Sequence, residues 1–488
     1  MVIESLKYKI LQQFGFAPTQ EQGQALDTFV SFMTDRDPQA VMILRGSAGT
    51  GKTSLSGAIV RTLLQIRQKV MLLAPTGRAA KVFSLSSGAP AYTIHRRIYR
   101  EKAFAGVDGQ FSLNDNLYTD TLFMVDEASM IANMGLGGTT FGSGCLLDDL
   151  VKFVYQGHND RLLLIGDKAQ LPPVGEEESP ALSASVMEGY GLKVYECDLN
   201  EVLRQSQSSG ILYNATLIRQ MITHDAVTGL PLIRFKGFAD IVMMPGAELV
   251  ESLGDSYHHV GMDETMVITR SNKRANIYNN GIRNMVLDRE EELSSGDMLM
   301  IVKNNYFWTE KEKKESGEGS AGAVPAFLAN GDRAKVLRVS NYIELYGFRF
   351  ATLLLQLPDY DDYEMQVTGM LDTLQSEAPA LTHEQQEELF RQVEEDYQHF
   401  VPLKADRMKS IRQDAYFNAL QIKYAYAVTC HKAQGGQWAH VYVDQGYMTD
   451  DMLTPDYIHW LYTAFTRATD KLFLVNWPKE QTCEPTDL

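Results

Sequence analysis

The sequence lacks any apolar run long enough to cross a lipid bilayer, although hydrophobic residues make up 44% of its 488 positions. A spanning helix needs about 20 consecutive apolar residues, so we expect no membrane segment. The N-terminus reads MVIESLKYKILQQFGF, with charges spread through it and no continuous apolar core, which argues against a secretion signal. We therefore expect a cytoplasmic protein that has no membrane partner.

Cysteine is scarce and positive charge is in deficit. The four cysteines stand far apart, without the paired spacing of a zinc site or a disulfide framework. With 45 basic and 62 acidic side chains, the net charge is −17, which at first disfavours a nucleic-acid partner. Much of that excess lies between Asp359 and Asp396, where Arg391 is the only basic residue. The rest of the chain is closer to neutral, so a locally positive groove is compatible with the composition.

The length and the apolar pattern predict a multidomain α/β protein. A chain of 488 residues is too long for one core and suggests three or four domain-sized units. An apolar run at 40–46, a Gly-rich turn, a helical stretch and a second apolar run form a βαβ pattern. Further apolar runs end in polar residues, as parallel strands do beside a ligand, and later strands predict a second α/β layer. These runs are Thr121–Glu127, Arg161–Asp167, Met266–Asn272, Tyr424–Gly435, Ala439–Gln445 and Lys471–Trp477.

The region between the later strands has a different character. Thr309–Ala323 is charged and rich in Gly and Ser, which predicts a loop. Phe327–Val339 and Ile343–Leu357 predict short strands around an Asn-Gly turn, and thus a small β-rich insertion. The acidic block then shows helical spacing around Leu389, which predicts a helix with one solvated face.

Residues 46–53 read Gly46-Ser47-Ala48-Gly49-Thr50-Gly51-Lys52-Thr53 and fit the P-loop pattern. Glycines let the backbone curl so that successive N–H groups face phosphate oxygens. In such a loop Lys52 reaches the β- and γ-phosphates, and Thr53 is a ligand of Mg²⁺. The sequence therefore predicts ATP and Mg²⁺ as cofactors, because a chance glycine turn rarely also follows a strand and precedes a helix.

Asp126 and Glu127 close the next strongly apolar strand. At this position one carboxylate can hold Mg²⁺ through its waters, and its neighbour can polarise the attacking water. We expect Asp126 on the metal side and Glu127 as the catalytic base. The alternative is an acidic pair that caps the following helix.

Further motifs occur in a fixed order along the chain. Together with the P-loop and Asp126-Glu127, they resemble the motif series of superfamily 1 helicases, and most closely the branch of RecD, Dda and the Pif-type enzymes. The resemblance runs from about Gln22 to Val475. The motifs are Gln22 in PTQEQGQAL, APTGR at 74–78, TIH at 93–95, GDKAQLPPV at 166–174, Arg204 in LNEVLRQ, TCHKAQG at 429–435, and YTAFTRA at 462–468.

The resemblance implies a fold and a domain division. We expect an α/β protein with two RecA-like parallel-sheet motor domains in tandem, a hairpin insertion in the first, and a small β-barrel with helices inserted in the second. Motor domain 1 would span residues 1–203, with the hairpin at 96–118. Motor domain 2 would comprise residues 204–292 and 421–488, with the insertion at 293–420.

The resemblance also implies roles at the ATP site. Gln22 would read the adenine edge, Gln170 would sense the γ-phosphate, and Gly435 would belong to the nucleotide site. Arg204 and Arg467 would reach the transferring phosphoryl group from domain 2, where a forked and permanently charged guanidinium suits the spread charge. Hydrolysis would then alter the gap between the domains. The alternative for each arginine is a surface ion pair.

By the same resemblance, a groove across both motor domains would bind single-stranded DNA. Hydroxyls, amides and backbone N–H groups bind phosphates without reading sequence. Each such residue could instead be an ordinary loop or cap residue, and the two histidines could be buried structural residues. The expected DNA-binding residues are Pro75, Thr76, Thr93, His95, Thr269, Asn272, Thr429 and His431.

Tyr99–Tyr118 carries Phe104 and Phe111 around a glycine-rich turn. This pattern predicts a β-hairpin, and the resemblance implies that it acts as a wedge that splits the duplex. Stacking of a base on an exposed aromatic ring contributes roughly 1–3 kcal/mol. The alternative is a plain surface hairpin with one aromatic residue tucked inward.

The expected function is an ATP-dependent helicase that moves 5′-to-3′ on single-stranded DNA and acts at duplex junctions, in repair, recombination or replication. The direction follows only from the likeness of GDKAQLPPV and TCHKAQG to one branch of the superfamily. We expect a monomeric motor with possible recombination or repair proteins as partners. The alternatives are an RNA helicase or ribonucleoprotein remodeller and a P-loop ATPase subunit that does not translocate.

Overall fold

A computed structural model describes most of the chain, namely residues 2–105, 108–134, 142–202, 208–223, 229–316, 324–325, 327–449 and 452–483. These residues divide into two compact units. The first unit comprises residues 1–244 and 433–488, and the second comprises residues 245–432. Residues 204–244 and 433–488 thus share a unit with the P-loop. The four-part domain division drawn from the sequence stays a prediction.

The secondary structure alternates between helices and strands along most of the chain. The strands are β1 (Ala40–Gly46), β2 (Lys69–Ala74), β3 (Ala91–Thr93), β4 (Tyr99–Ala105), β5 (Asp108–Leu113), β6 (Thr121–Val125), β7 (Arg161–Gly166), β8 (Lys193–Leu199), β9 (Ile241–Met244), β10 (Thr265–Thr269), β11 (Met298–Ile301), β12 (Arg333–Leu345), β13 (Phe348–Leu357), β14 (Tyr363–Met370), β15 (Leu420–Tyr424), β16 (Ala427–Thr429), β17 (Trp438–Asp444) and β18 (Ala468–Val475). The helices are α1 (Val2–Phe14), α2 (Gln20–Thr34), α3 (Lys52–Gln65), α4 (Gly77–Ser87), α5 (Ile94–Ile98), α6 (Leu146–Gln156), α7 (Ala184–Gly189), α8 (Gly210–Thr223), α9 (Leu249–His259), α10 (Asn272–Gly281), α11 (Phe307–Ser316), α12 (His383–Gln398), α13 (Lys404–Arg412), α14 (Cys430–Ala433) and α15 (Pro455–Phe465). Across the described part of the chain, no helix combines the length and the apolar character needed to cross a bilayer.

The main sheet of the first unit is parallel throughout, with the strand order β3-β2-β6-β7-β1-β8. Every residue of β1, β6 and β7 is buried, because helices pack on both faces of the sheet. Strands buried on both faces read as continuous apolar runs, which is the pattern that the sequence shows here. The predicted α/β class is confirmed for this part of the chain.

Parallel pairing recurs in later segments of both units. In the first unit, β18 lies between β17 and β9 and is parallel to both. In the second unit, β10 pairs in parallel with β16, and Thr269 lies opposite Thr429 in the register. These strands correspond to the later apolar runs of the sequence, and they complete the predicted parallel-sheet architecture.

The predicted insertion is a small closed barrel formed by β11, β12, β13, β14 and β15. One end of the barrel is covered by α12, whose Leu389 and Val393 are buried against Phe350 and Met370. The acidic side chains of α12 occupy its other face, so the helix with a solvated face is confirmed. Asn330-Gly331 forms the expected turn, in which the amide of Asp332 donates to the carbonyl of Ala329 at 3.0 Å. This turn precedes β12, whereas the hairpin between β12 and β13 turns at residues 346–347.

The loop expected at Thr309–Ala323 is wrong over its first half, because α11 runs from Phe307 to Ser316. Glu and Lys are strong helix formers, and they outweigh the absence of an apolar stripe. The first turn is anchored by Trp308, whose Nε1 donates to the carbonyl of Asn418 at 2.9 Å. Residues 317–323 lie outside the described part of the chain.

A buried carboxylate joins three segments of the second unit. Asp297 has no exposed surface, and its oxygens accept hydrogen bonds from Arg283 Nε at 3.1 Å and Arg289 Nη1 at 2.6 Å. The Tyr426 hydroxyl and the Ser294 amide each donate to the same carboxylate at 2.7 Å. A buried charge is tolerated when it is paired and its lone pairs are satisfied.

Replacement of this carboxylate should therefore destabilise the second unit. We expect Asp297→Asn to lower the free energy of unfolding by about 3–5 kcal/mol, because two guanidinium groups lose their buried counter-charge. Urea denaturation followed by circular dichroism measures the effect. As a matched control, Arg391→Ala breaks an exposed ion pair with Glu388 in the same unit and should cost less than about 1 kcal/mol. Equal effects of the two variants would contradict this assignment.

Candidate nucleotide and nucleic-acid site

Three neighbouring parallel strands of the first unit end at one edge of the main sheet. β1 leads into the P-loop, β6 leads into Asp126 and Glu127, and β7 leads into Asp167. β7 lies between β6 and β1 in the sheet. The carboxyl edge of a parallel sheet is where open α/β folds bind their ligands. The fold therefore brings these predicted residues to the same place.

The P-loop has the tight backbone that the sequence predicts. Gly49 and Gly51 have φ angles of +77° and +78°, a region that residues with a Cβ rarely adopt. Lys52 begins α3, and its Nζ donates to the carbonyl of Gly46 at 3.0 Å, so its ammonium group lies over the start of the loop. Thr53 follows in the first turn of α3 and is exposed. The loop and the helix N-terminus form the expected phosphate-binding arrangement.

Gln22 links the start of α2 to the P-loop. Its Nε2 donates to the carbonyl of Thr50 at 2.8 Å, and the residue is 1% exposed. Its Oε1 accepts from the amide of Thr19 at 3.0 Å, while the Thr19 hydroxyl accepts from the amide of Gln22, which forms a capping box. The side chain thus touches the nucleotide-binding loop, and its contact with adenine stays a prediction.

Acidic groups at this edge are enclosed by protein. Burial, together with the negative charge of Glu127, raises the pKa of Asp126 to about 6, although the charge of Lys52 opposes the shift. Burial also raises the pKa of Asp167, against the opposing effects of Lys52 and of a hydrogen bond from Tyr462. These carboxyl groups are costly to ionise without a further cation close by. The site therefore favours the binding of a cation.

Glu127 is held in a strained position next to Asp126. Its φ of 53° lies in the left-handed region, and its amide donates to Asp126 Oδ1 at 2.9 Å. Within the described residues, Glu127 Oε2 and Gln170 Oε1 are buried and have no hydrogen-bond partner. Buried polar atoms without a partner are rare, so these two oxygens fit a site that takes polar ligands. Carboxylate and hydroxyl oxygens are also the ligands that Mg²⁺ prefers, which suits Asp126 and Thr53.

The C-terminal segment of the first unit closes over the P-loop edge. The Tyr462 hydroxyl accepts from the amide of Ala48 at 3.0 Å and donates to Asp167 Oδ2 at 2.6 Å. The Thr463 hydroxyl accepts from the amide of Leu171 at 2.8 Å. From the segment before β17, Gln434 Nε2 donates to the carbonyl of Leu171 at 2.7 Å. The motif at 462–468 and the motif at 166–174 are therefore in direct contact.

Of the two arginines predicted to contact the phosphoryl group, only one lies in the described part of the chain. Arg204 lies outside the described residues. Arg467 is 2% exposed, and its guanidinium donates to the carbonyls of Thr463 and Gly436, both at 3.1 Å, and to the Thr466 hydroxyl at 3.2 Å. In this conformation the guanidinium holds its own segment together. The contact of either arginine with phosphate stays a prediction.

Several predicted DNA-binding residues of the first unit cap helices. The Thr76 hydroxyl accepts from the amide of Ala79 at the start of α4, and the Thr93 hydroxyl accepts from Arg96 at the start of α5. Pro75 is half-buried before the first of these caps. Burial lowers the pKa of His95 to about 4, so this imidazole is neutral at pH 7.

Gly435, predicted for the nucleotide site, packs beside a residue predicted for the DNA groove. A β-carbon on Gly435 would lie 3.1 Å from Thr76 Oγ1, and the φ of Gly435 is +71°. The backbone therefore approaches the start of α4 more closely than a larger residue allows.

In the second unit, β10 and β16 bring the other predicted DNA-binding residues together. Thr269 and Thr429 end these paired strands, and Asn272 and His431 follow them. Thr269 has no exposed surface, and its hydroxyl donates to the carbonyl of Ser271 at 3.1 Å, which is typical of a structural residue. Asn272 Nδ2 donates to the carbonyl of Glu377 at 3.1 Å, whereas His431 is exposed.

The predicted hairpin is present as β4 and β5, which pair in an antiparallel register from Tyr99–Leu113 onwards. Phe111 is half-buried and packs against the hydrophobic core of the first unit. The side chain of Phe104 lies outside the described side chains. Phe111 therefore matches the inward-facing aromatic residue of the alternative interpretation, and the wedge function stays a prediction.

Two family models match the chain in the expected order. The model of the AAA domain matches residues 17–229, and the model of the UvrD-like helicase C-terminal domain matches residues 424–475. Among curated relatives, the ATP-dependent RecD2 DNA helicase of Deinococcus radiodurans is 30% identical over 32% of this chain and 18% of its own length. The ATP-dependent DNA helicase dda of Enterobacteria phage T4 is 25% identical over 53% of this chain and 55% of its own length.

Among solved structures, a Pif1 helicase from Bacteroides in complex with ADP-AlF3 and single-stranded DNA is 13% identical, with a TM-score of 0.45. That alignment covers 96% of this chain and 95% of the other. The chain spans well under two thirds of the two curated relatives. The family models and these relatives confirm the predicted resemblance to superfamily 1 helicases of the RecD/Dda/Pif-like branch.

Two side chains at the P-loop were not singled out from the sequence. Tyr462 belongs to the motif at 462–468, and its contacts with Ala48 and Asp167 span more than 290 residues of chain. Arg219 Nη1 donates to Ser47 Oγ at 2.6 Å. A signal existed for Arg219, because it is the only charged residue of α8. A lone charge in an amphipathic helix indicates a specific partner.

Because the pKa of Asp126 is raised, removal of its charge should stabilise the folded protein while it impairs the proposed function. A carboxyl group whose pKa rises on folding destabilises the folded state at every pH at which the group is ionised. For Asp126 this destabilisation is complete above about pH 6, and it disappears as the pH falls towards 3.8. We expect Asp126→Asn to raise the free energy of unfolding of the metal-free protein by roughly 1–3 kcal/mol at pH 8. Urea denaturation with a chelator measures it, and the gain should shrink at pH 4.5. A variant that is less stable than the parent at pH 8 would contradict this assignment.

Proposed function

Because the chain resembles superfamily 1 helicases of the RecD/Dda/Pif-like branch, we propose that it is an ATP-dependent DNA helicase that moves 5′-to-3′ on single-stranded DNA. The proposal rests chiefly on one observation. Adjacent parallel strands bring the P-loop, the Asp126-Glu127 pair and the loop that carries Gln170 to one edge of the main sheet. Phosphoryl transfer needs positioning and charge stabilisation more than covalent chemistry, and this edge offers both.

We propose the following division of labour at the ATP site. The P-loop amides and Lys52 bind the triphosphate, and Glu127 accepts the proton of the attacking water. The buried Oε2 of Glu127, which has no partner among the described residues, supports the role of a base. Gln170 lies 3 residues after Asp167, and its likewise unpartnered Oε1 supports a role in orienting that water or sensing the γ-phosphate.

Thr53 and Asp126 would hold Mg²⁺. When bound, the ion neutralises phosphate charge and favours departure of ADP. Lys52 opposes the upward shift of the Asp126 pKa, and at about 6 that pKa leaves the carboxyl group mostly ionised at neutral pH.

In the second unit, Thr269 is buried, so the Thr429 hydroxyl, the N-terminus of α10 and the exposed His431 would bind the sugar-phosphate backbone. Helix N-termini favour phosphate through their free N–H groups and the helix dipole. Contacts of this kind are independent of base sequence, as a motor that moves along DNA requires. A role in repair, recombination or replication follows from the resemblance alone.

Two variants separate binding of ATP from its hydrolysis. Lys52→Ala should abolish hydrolysis, because the ammonium group at the phosphates is lost. Glu127→Gln should keep ATP binding within a few-fold and lower kcat by at least about 100-fold, because only the base is removed. Nucleotide-binding calorimetry and a phosphate-release assay measure the two effects.

Glu177→Gln, which changes an exposed glutamate in the same unit, is the matched control and should leave both properties unchanged. Normal turnover in Glu127→Gln would require another base.

The direction of movement is tested with forked duplexes. We expect faster unwinding, by roughly tenfold or more, when the loading strand has a 5′ tail than when it has a 3′ tail, because the motor loads on single strands and advances one way. Equal or reversed preference would contradict the direction.

The same preparation tests the alternative functions. ATPase stimulation by single-stranded RNA above that by DNA, at matched salt, would favour an RNA helicase. Turnover that no polynucleotide changes would favour an ATPase subunit that does not translocate.

A further inference from the structure

Helix α8 packs directly on the P-loop within the first unit. A β-carbon built on Gly49 would lie 3.2 Å from the Leu212 Cδ atoms, so this helix lies against the glycine turn. Arg219 follows Leu212 by seven residues, which places both on the same face of α8. Its Nη1 donates to Ser47 Oγ at 2.6 Å. The face of α8 that meets the loop therefore ends in a guanidinium group.

The guanidinium of Arg219 lacks a counter-charge in the described part of the chain. Its other contacts there are two 3.5 Å approaches to the carbonyl of Asn200, and it forms no ion pair with a described carboxylate. By contrast, Arg467 uses Nε, Nη1 and Nη2 on neighbouring oxygens. Arg219 is also partly exposed, whereas Arg467 is buried. Arg219 therefore retains donors, and a full charge, for an anionic ligand.

Arg219 meets the loop on the side where the terminal phosphate belongs. Lys52, which reaches the β- and γ-phosphates in a P-loop, places its Nζ 3.0 Å from the carbonyl of Gly46, next to Ser47. The adjacent amide of Ala48 donates to the Tyr462 hydroxyl, so side chains from α8 and α15 both cover this end of the loop. A forked guanidinium suits phosphate oxygens better than any other side chain.

We propose that Arg219 is a phosphate-binding residue of the ATP site that distinguishes ATP from ADP. In the structure the Ser47 hydroxyl accepts a hydrogen bond from the guanidinium, and bound ATP takes over that hydrogen bond through its γ-phosphate. ADP offers no γ-phosphate, so Arg219 stays on Ser47. The inference rests on the proposed ATPase function and deepens it, because it adds an arginine that neither the motif series nor the comparisons assign.

The test compares binding of Mg²⁺ with a non-hydrolysable ATP analogue and with ADP, by calorimetry on the full chain. Arg219→Ala should weaken binding of the analogue by at least about tenfold and that of ADP by less than about twofold. Arg219→Lys keeps the positive charge but loses the forked guanidinium. Its affinity for the analogue should lie between that of the parent and that of Arg219→Ala. Arg36→Ala should match the parent, because Arg36 is an exposed arginine before β1, at the opposite edge of the sheet.

A role of Arg219 in structure alone predicts a different pattern. Equal loss for the analogue and ADP, or no loss for either, in both Arg219→Ala and Arg219→Lys would overturn the inference. Ser47→Ala is a second discriminator, since it should keep the preference for the analogue over ADP. If Ser47→Ala reproduced the pattern of Arg219→Ala, Arg219 would act only by holding Ser47. If the parent chain bound neither nucleotide, the proposed function itself would fail.

Discussion

The placement of charge at one edge of a parallel sheet is the constraint on which the first unit depends. Lys52, Asp126, Glu127 and Asp167 meet there because β1, β6 and β7 are neighbours that end on the same side. Burial makes the carboxyl groups costly to ionise, and the raised pKa of Asp126 measures part of that cost. Such a cluster lowers the stability of the apoprotein unless a ligand compensates it. Under the proposed function, bound Mg²⁺ and a triphosphate would supply that compensation.

The same edge is coupled to segments that are distant in sequence. Tyr462 bridges the amide of Ala48 and the carboxylate of Asp167, so a change at the loop alters the environment of α15. Arg219 joins α8 to Ser47 in a comparable way. A ligand that competes for Ala48 and Ser47 must break or replace these hydrogen bonds. Loss or replacement of these hydrogen bonds would change how α8 and α15 contact the P-loop.

Local patterns in the sequence predicted much of this architecture. The apolar runs of β1 and β7, the glycine-rich loop between β1 and α3, and the buried stripe of α12 all follow from period and turn chemistry. The segment at α11 was misjudged, because its first turn is anchored by Asn418, about 110 residues away. The lone charge of Arg219 in α8 indicates that it has a partner, but no local pattern identifies Ser47 as that partner, or Ala48 and Asp167 as the partners of Tyr462. The sequence does not distinguish a hairpin that acts as a wedge from a plain hairpin with one aromatic residue packed inward, and Phe111 packs inward.

The most direct test of the central claim is the proton release that accompanies nucleotide binding. Calorimetry in buffers of different ionisation enthalpy measures it for Mg²⁺ and a non-hydrolysable ATP analogue, after subtraction of the release from free nucleotide. Since Asp126 has a pKa of about 6, a cation bound beside it should expel about half a proton at pH 6 and almost none at pH 8. Binding with the same proton release at both pH values, or no binding at all, would contradict the account.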